Sequence, residues 1–319
     1  MIIARITMGL GNQMFQYAAA LALSLEKNVP LKVDTSAYTG YKLRTYELDT
    51  CFTIDTAKAS ETECSEYVFH HPVKRIWNKI MPGKKIRTLG LAYEETFIKR
   101  NLLGKYNFFS PPHKLLNYQE PHYHFDKHFF DTSENVYLHG YWMSWKYFQK
   151  YELEVRNAFT IRKELIHHLE TMAEDMQQNN SVAIHIRRTD FTDNKIQYLK
   201  TIIPVAYYVK AIALLKEKYN NISLYFFSDD IDWVKQNVHI ENLPVYYIDK
   251  AFTSSAIEDF YLMTQCRHNI IANSTFSWWA AYLNAHQGKT VIAPKKWYSH
   301  ASHYNYKDVY PLSWMLIDA

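Results

Sequence analysis

A chain of 319 residues with 48% hydrophobic and 21% charged side chains can bury one large core or two ordinary ones, which excludes disorder. Lys and Arg number 36 against 32 Asp and Glu, a formal +4 that is too small and too dispersed for a nucleic-acid partner, though a local cluster can still take a small anion. Three cysteines (Cys51, Cys64, Cys266) form no Cys-x-x-Cys pair and leave one over, so reduced cytoplasmic thiols are the simplest account.

The opening stretch is apolar, but Arg5, Gly9, Gly11, Asn12, Gln13 and Gln16 interrupt it and no basic segment leads it, which argues against a signal peptide. No uninterrupted apolar run of ~20 residues predicts a membrane span. "IIARIT" reads as a strand, "MGLGNQ" as a turn, and Met14, Tyr17, Ala18, Leu21 and Leu25 recur at helical spacing as a buried face. "LKVD" follows Pro30 as a second strand, and strand, turn, helix, strand predicts a parallel sheet. The segment Gly9-Leu-Gly11-Asn12-Gln13 resembles a dinucleotide fingerprint and fails it, because Met14 occupies the third glycine position; it predicts a tight turn that a ligand can approach. Between about Thr56 and Tyr118 basic and aromatic residues mix without a period, and no element is assigned. "VYLHGYW" (Val136 to Trp142) reads as a strand, with helical sequence to about Phe159. Residues 1–159 are thus expected to form one Rossmann-like domain.

Residues 160–319 alternate more clearly. A helix carries Leu165, Leu169, Met172 and Met176, the strand "SVAIHI" follows, and a helix behind Pro204 turns Val205, Tyr208, Val209, Ile212 and Leu215 inward. Strand "SLYFF" ends in "SDD". Strand "VYYI" precedes a helix opened by the capping box Ser255-Ala-Ile-Glu258. "HNIIA" ends in "NSTF" and enters "SWWAAYLN", a helix apolar all round and therefore buried, with Ser274 or Thr275 as its cap. "TVIA" ends in "PKKWY". Repeated strand–helix alternation predicts a doubly wound parallel sheet, in which ligands bind beyond the carboxyl ends of the strands.

Those strand tails carry the chemistry. "HIRRTD" holds His185, Arg187, Arg188 and Asp190. Planar guanidinium matches a diphosphate better than ammonium does, although a salt bridge to Asp190 is the plainer use. Strand alternation argues against both arginines pointing at one phosphate, so one of them is expected to be structural. Ser228, Asp229 and Asp230 end the next strand, and Asn273, Ser274, Thr275 and Phe276 lead into a helix whose first N–H groups also suit a phosphate. Together with Lys295 and Lys296 the tails outline a nucleotide site. Asp230-Ile-Asp232 has the spacing of a divalent-metal site, but a strand-end acid serving a helix start explains it better, and the arginines make a metal redundant. His122, His124 and His128 have metal-like spacing without a recognisable site around them. Aromatic residues at 16% suit sugar stacking and a dense core equally.

"GLGNQMFQYA", "HIRRTD", "FFSDD" and "CRHNIIANSTFSWWAAYLN", in this order and separation, resemble the bacterial and animal α-1,2-fucosyltransferases, over Gly9 to Asn284. The resemblance implies a GT-B-like fold of two Rossmann-like domains facing across a cleft. It implies inverting, metal-independent transfer of L-fucose from GDP-fucose to the 2-hydroxyl of a terminal β-galactoside. The donor would lie in the C-terminal half, with Gly9, Gly11, Asn12 and Gln13 reaching the same cleft. Arg187 would hold the β-phosphate, His185 would contact the donor, and Asp229 or Asp230 would contact guanine. Asp190 is the best candidate base for the acceptor hydroxyl, unless it orients Arg187. Related α-1,6- and protein O-fucosyltransferases share the arginine motif, so they stand as alternatives, as does a GDP-sugar or glycan-binding protein without catalysis. The expected setting is cytoplasmic assembly of a surface polysaccharide, with peripheral contact to a lipid-linked glycan.

Overall fold

The computed structural model describes residues 1–40, 43–67, 117–120, 124–188, 202–298 and 307–319. They divide into two compact units, Met1–Phe159 with Lys307–Val309, and Thr160–Tyr306 with Tyr310–Ala319. No helix among the described residues is long and apolar enough to cross a membrane.

The first unit is built on four parallel strands, β1 (Ile2–Arg5), β2 (Leu31–Asp34), β3 (Asn117–Gln119) and β4 (Val136–His139), in the order β2-β1-β4-β3. Helix α1 (Leu10–Lys27) connects β1 to β2 and stops at Asn28, whose left-handed conformation (φ 53°) returns its N–H to the Leu25 carbonyl. The predicted stripe is only part of its burial. Leu25 is 39% exposed, whereas Gln13 and Gln16 are buried along with Phe15, Ala19, Ala20 and Leu23. The cause is packing on several sides: α1 lies on β1 and β2 and is also covered by α2 (Leu48–Cys51), by the later helix Glu152–Ala158, and by 3₁₀ turns at Phe129–Asp131, Trp145–Tyr147 and Gln149–Tyr151. One further helix, α3 (Glu61–Tyr67), falls where the sequence offered no period; the Glu152–Ala158 helix is α4.

The second unit holds six parallel strands: β5 (Asn180–Ile186), β6 (Ile222–Ser228), β7 (Val245–Tyr247), β8 (His268–Ile270), β9 (Val291–Pro294) and β10 (Met315–Ile317). Their order is β10-β9-β8-β5-β6-β7. The chain starts in the centre, winds one way to β7, returns and winds the other way to β10. This is the doubly wound order, and it reverses between β5 and β8, where such sheets bind ligands. The helices are α5 (Glu170–Gln178), α6 (Val205–Lys218), α7 (Ile231–Asn237), α8 (Ala256–Gln265) and α9 (Thr275–Leu283).

The observed faces shift some expectations. α6 buries Tyr207, Tyr208, Ala211, Ile212 and Leu215 and leaves Val209 45% exposed, so its inward face is rotated by about one residue. α5 begins only at Glu170, because two 3₁₀ turns occupy Lys163–Leu165 and His167–Leu169; Ala173 and Met176 are its buried side chains, and Leu169 is buried in the turn before it. α9 is buried through Ser277 to Tyr282, as its all-round apolar sequence requires. β10 adds an edge strand that the sequence pattern did not disclose, with Met315 and Leu316 left 41% and 43% exposed.

Candidate functional site

In the second unit, β5 and β6 run in register, with His185 opposite Phe227 and Ile186 opposite Ser228. The residues that follow therefore leave the sheet side by side, two arginines beside two aspartates. Arg187 Nη1 stands 3.2 Å from Asp229 Oδ2, and the Arg188 N–H donates to Asp229 Oδ1 at 2.9 Å. Arg188 Nε donates to Asp230 Oδ2 at 3.3 Å, and its guanidinium lies 3.5 Å above the Trp233 ring. Asp230 is also the N-cap of α7, accepting from the Trp233 N–H at 3.3 Å, while its own N–H donates to Ser228 Oγ at 3.0 Å.

These contacts give each charged residue a different job. Arg188 is clamped between a carboxylate and an indole, the setting of a structural cation. Asp230 is used by a helix start and an arginine, so the Asp-x-Asp spacing is accounted for by capping. Asp229 faces Arg187 rather than standing ready for a guanine base; both carboxylates expected to read guanine are engaged with arginines. Arg187 keeps 22% of its side chain exposed, and its guanidinium carries five N–H donors.

His185, one residue before the end of β5, is buried, its ring centroid 5.8 Å from Phe276 of α9, which in turn packs 5.3 Å from Phe260 of α8. Burial first, and Arg187 second, push its pKa down to about 3 against the opposing pull of Asp229. It is therefore a neutral imidazole at pH 7, and its Nδ1 is buried without a hydrogen-bond partner among the described residues. On the other side of the switch point, Asn273 donates to the Trp297 carbonyl at 3.0 Å. Ser274 occupies the N-cap position of α9, but its hydroxyl makes no capping bond; it and Thr275 remain half-buried. Lys295 pairs loosely with Asp318 at 3.7 Å beside β10.

The start of α8 differs from the expected capping box. Ser255 Oγ donates to Glu258 Oε1 at 2.9 Å, and Glu258 reaches back to the N–H and hydroxyl of Ser254 instead of the N–H of Ser255. Next to it, Asp259 accepts from Thr253 Oγ1 at 2.6 Å, and burial pushes its pKa up to about 6. A carboxylate whose charge is disfavoured by burial, in the first turn of α8, marks Asp259 as a site candidate that the sequence reading passed over. Its only signal there was an acid in the first turn of a helix, which the helix dipole explains as well.

In the first unit the expected turn falls one residue early. Met8 has φ 69°, whereas Gly9 has φ −82° and a Cβ there would meet nothing nearer than Arg44 Nε at 3.7 Å. Gln13 is fully buried and spends its amide inside the unit: Nε2 donates to the carbonyls of Met8 and Thr45, and Oε1 accepts from the Glu47 N–H. Its amide is thus committed to contacts within the unit. Gln16, one turn on, ties Thr7 to the Gly140 carbonyl. Gly140 must be glycine, since a Cβ would lie 2.4 Å from that of Glu120, whose carboxylate accepts from the N–H groups of Tyr141 and Trp142. Gly11 and Asn12 form the first turn of α1, with Asn12 half-buried. Asp190, like His122, lies outside the described residues.

Residues 98–318 match the model of Glycosyl transferase family 11, well over half of the chain. The chain belongs to that family. Two Escherichia coli relatives align with most of this family 11 chain. An alpha-1,2-colitosyltransferase is 29% identical, covering 99% of both chains, and the O-antigen biosynthesis glycosyltransferase WbnK is 30% identical, covering 91% of this chain and 93% of its own. The fold is similar to that of the fucosyltransferase NodZ from Bradyrhizobium, with a TM-score of 0.51 at 16% identity, covering 88% of this chain and 91% of that one.

A sugar nucleotide breaks its glycosyl–phosphate bond and leaves negative charge on the nucleotide. Arg187, with 22% of its side chain exposed, is a cation at the strand end paired with Asp229. A cation held where charge develops needs little reorganisation at the moment of reaction.

Proposed function

We propose that the chain transfers L-fucose from GDP-fucose, with inversion, to the 2-hydroxyl of a terminal β-galactoside. The observation that carries this reading is Arg187 at the carboxyl end of β5, beside the topological switch point and oriented by Asp229 at 3.2 Å, in a family 11 chain. Arg187 would bind the β-phosphate of the donor. As the bond between C1 of fucose and the phosphate oxygen breaks, positive charge builds on the sugar and negative charge on GDP, and the guanidinium stabilises the latter. One such donor is worth about 2.7–4 kcal/mol in comparable sites.

His185, neutral and buried against Phe276, would give the donor a polar contact without adding charge. Ser274 and Thr275, half-buried at the start of α9, offer hydroxyls and helix N–H groups for the diphosphate. The acceptor hydroxyl attacks from the face opposite GDP and gives up its proton late, when C1 is already strongly cationic; Asp190 remains the candidate to receive it. The acceptor side is assigned to the first unit. No metal is required where arginine supplies the positive charge. The O-antigen relative supports a place in the assembly of a surface glycan.

A second donor is favoured by one observation: the colitosyltransferase match runs the full length of both chains. Colitose is fucose without its 3-hydroxyl, so the two donors differ in a single polar group. A GDP-release assay with GDP-fucose and GDP-colitose, against a panel of β-galactosides, separates them. Release from GDP-fucose that depends on a galactoside supports the proposal. Release from GDP-colitose alone moves the donor, and no acceptor-dependent release from either sugar nucleotide leaves a non-catalytic binder.

A further inference from the structure

The amino edge of the second unit's sheet, at the other end of its strands from Arg187, gathers several N–H donors in one place. Val182 of β5 is the register partner of His268 of β8, so Asn180, two residues earlier, shares the face of His268. Arg267 reaches round onto that face, its Nη1 donating to Asn180 Oδ1 at 2.8 Å. The end of α6 meets the same spot: the Tyr219 ring stacks on His268 at 4.1 Å, and Asn180 Nδ2 donates to the Asn220 carbonyl at 2.7 Å. Lys218 Nζ donates to Thr290 Oγ1 at 3.1 Å, and the His286 ring lies 6.5 Å from that of His268.

Backbone N–H groups set the tautomers of the two histidines. The Thr290 N–H donates to His268 Nδ1 at 3.0 Å, and the Gly288 N–H donates to His286 Nδ1 at 3.2 Å. A ring nitrogen that accepts carries no proton, so each neutral imidazole presents its N–H at Nε2. His268 is 0% exposed, and its Nε2 has no hydrogen-bond partner among the described residues; neither has the buried Nε of Arg267. Buried donors normally find acceptors. Two that do not, on adjacent residues and beside a third imidazole N–H and a lysine, are all of one polarity. The charges acting on the two rings come from Arg267, Lys218, Lys289 and His286, with no carboxylate among them. What the cluster lacks is an acceptor.

We propose that this cluster is a second anion site, which takes a phosphate-type oxyanion on Arg267, His268, His286 and Lys218. A phosphate offers several acceptor oxygens, and hydrogen bonds to an ionised acceptor are about twice as strong as neutral ones. The buried donors are held in place, His268 under the Tyr219 ring and Arg267 by Asn180. Lys218 is exposed and spends its ammonium on a neutral hydroxyl, which a phosphate outbids. His286 and Arg267 are half-buried, so the cluster opens to solvent on their side. β5 is seven residues long, which puts this edge about 20 Å from Arg187. The site is therefore separate from the arginine–aspartate cluster and does not depend on how the donor is read. Free phosphate and the phosphate of a lipid head group share the required chemistry.

Calorimetry of the full chain with inorganic phosphate tests this, with saturating GDP present and chloride at equal ionic strength as the control. One phosphate should bind per chain and raise the melting temperature, where chloride does not. Arg267→Gln and Lys218→Gln should each raise the phosphate Kd by about tenfold. Lys218→Gln alters an exposed side chain, so it decides the matter if Arg267→Gln lowers the melting temperature without ligand. Arg187→Ala should bind phosphate like the wild type. Vesicles of phosphatidylcholine with and without phosphatidic acid separate the two sources. Sedimentation that needs phosphatidic acid, Arg267 and Lys218 assigns a head group, and phosphate binding without it assigns the free anion; either supports the site. An equal response to chloride, no phosphate binding beside GDP, or full phosphate affinity in both glutamine variants would overturn the inference. Loss of phosphate binding in Arg187→Ala would place the ion at the other end of the sheet and overturn it as well.

Discussion

Two adjacent arginines should respond to the same substitution in opposite ways. Arg188→Ala removes a guanidinium stacked 3.5 Å from the Trp233 ring and paired with Asp230 at 3.3 Å. The cation–π contact is worth about 0.5–2 kcal/mol at such a half-buried place. The ion pair adds at most about 1 kcal/mol, because 38% of the Asp230 side chain is exposed. The sum is roughly 2 kcal/mol, and with ~2–4 °C per kcal/mol for a unit of this size the melting temperature should fall by about 4–8 °C. Asp230 keeps its capping bond to Trp233, so α7 should persist. Arg188→Lys restores charge without the planar stack and should recover about half of the loss. Arg187→Ala removes the 3.2 Å pair with Asp229, whose side chains are 22% and 18% exposed, and should lower the melting temperature by less than Arg188→Ala does. Its kcat should drop by about 10²–10³ and its donor KM should rise, since it stabilises the leaving group more than the ground state. Thermal melts with and without GDP, together with kinetics on the Arg187→Ala, Arg188→Ala and Arg188→Lys variants, give the readout. An Arg188→Ala protein that melts like the wild type yet loses more turnover than Arg187→Ala would refute the assignment.

The remaining expectations concern pH, a buried acid and metals. His185 and His268 have folded pKa values of about 3 and about 4, below the usual 6.5, mainly through burial. The unfolded chain therefore takes up their protons first. Stability is full above pH 6.5 and declines toward pH 4, by up to roughly 1.4 kcal/mol per pH unit for each histidine. Urea titrations across that range should show the slope, and His268→Gln should lower it; an unchanged slope would remove His268 from the account. Asp259 has the opposite sign: its folded pKa of about 6 lies above the ordinary 3.8, so its burial costs stability progressively as the pH rises between those values and in full above about 6. Asp259→Asn should raise the melting temperature at pH 7, by an amount on the order of 1–2 kcal/mol, and give no gain at pH 4. Equal effects at both pH values would show that burial of charge is not the cause. Turnover should survive excess EDTA, whereas a complete loss reversed by manganese or magnesium would assign a role to a metal.

Sequence legibility followed the length of the repeating pattern. β5 and β6 are seven-residue strands with apolar runs, and their polar tails could be read because the side-chain type changes abruptly at Ile186 and Ser228. α9 was readable as a buried helix from its Trp and Ala content alone. β10, a three-residue edge strand, has too few residues for any period to show. The α6 face was misplaced because Tyr207 and Val209 are both apolar enough to point inward, and only the carbonyls of Ile271 and Ile292 decide for Tyr207. Adjacency in sequence also hid the division of labour between Arg187 and Arg188. It depends on Trp233, Asp229 and Asp230, which β6 brings alongside from 40 or so residues away. Gln13 was read as a ligand contact because its neighbours suggested a binding loop. Thr45 and Glu47, which claim its amide, are distant in sequence and carry no pattern.

The central claim is a single bond, an α-linkage from fucose C1 to the 2-oxygen of galactose, formed with departure of GDP. Incubation of the full chain with GDP-β-L-fucose and a β-galactoside, followed by NMR of the isolated product, reads both the linkage and the anomeric configuration. The account predicts an α-fucosyl group on O2 of the galactose, with one GDP released for each sugar transferred. Fucose on another hydroxyl, a β-anomer, or tight GDP-fucose binding with no product would contradict it.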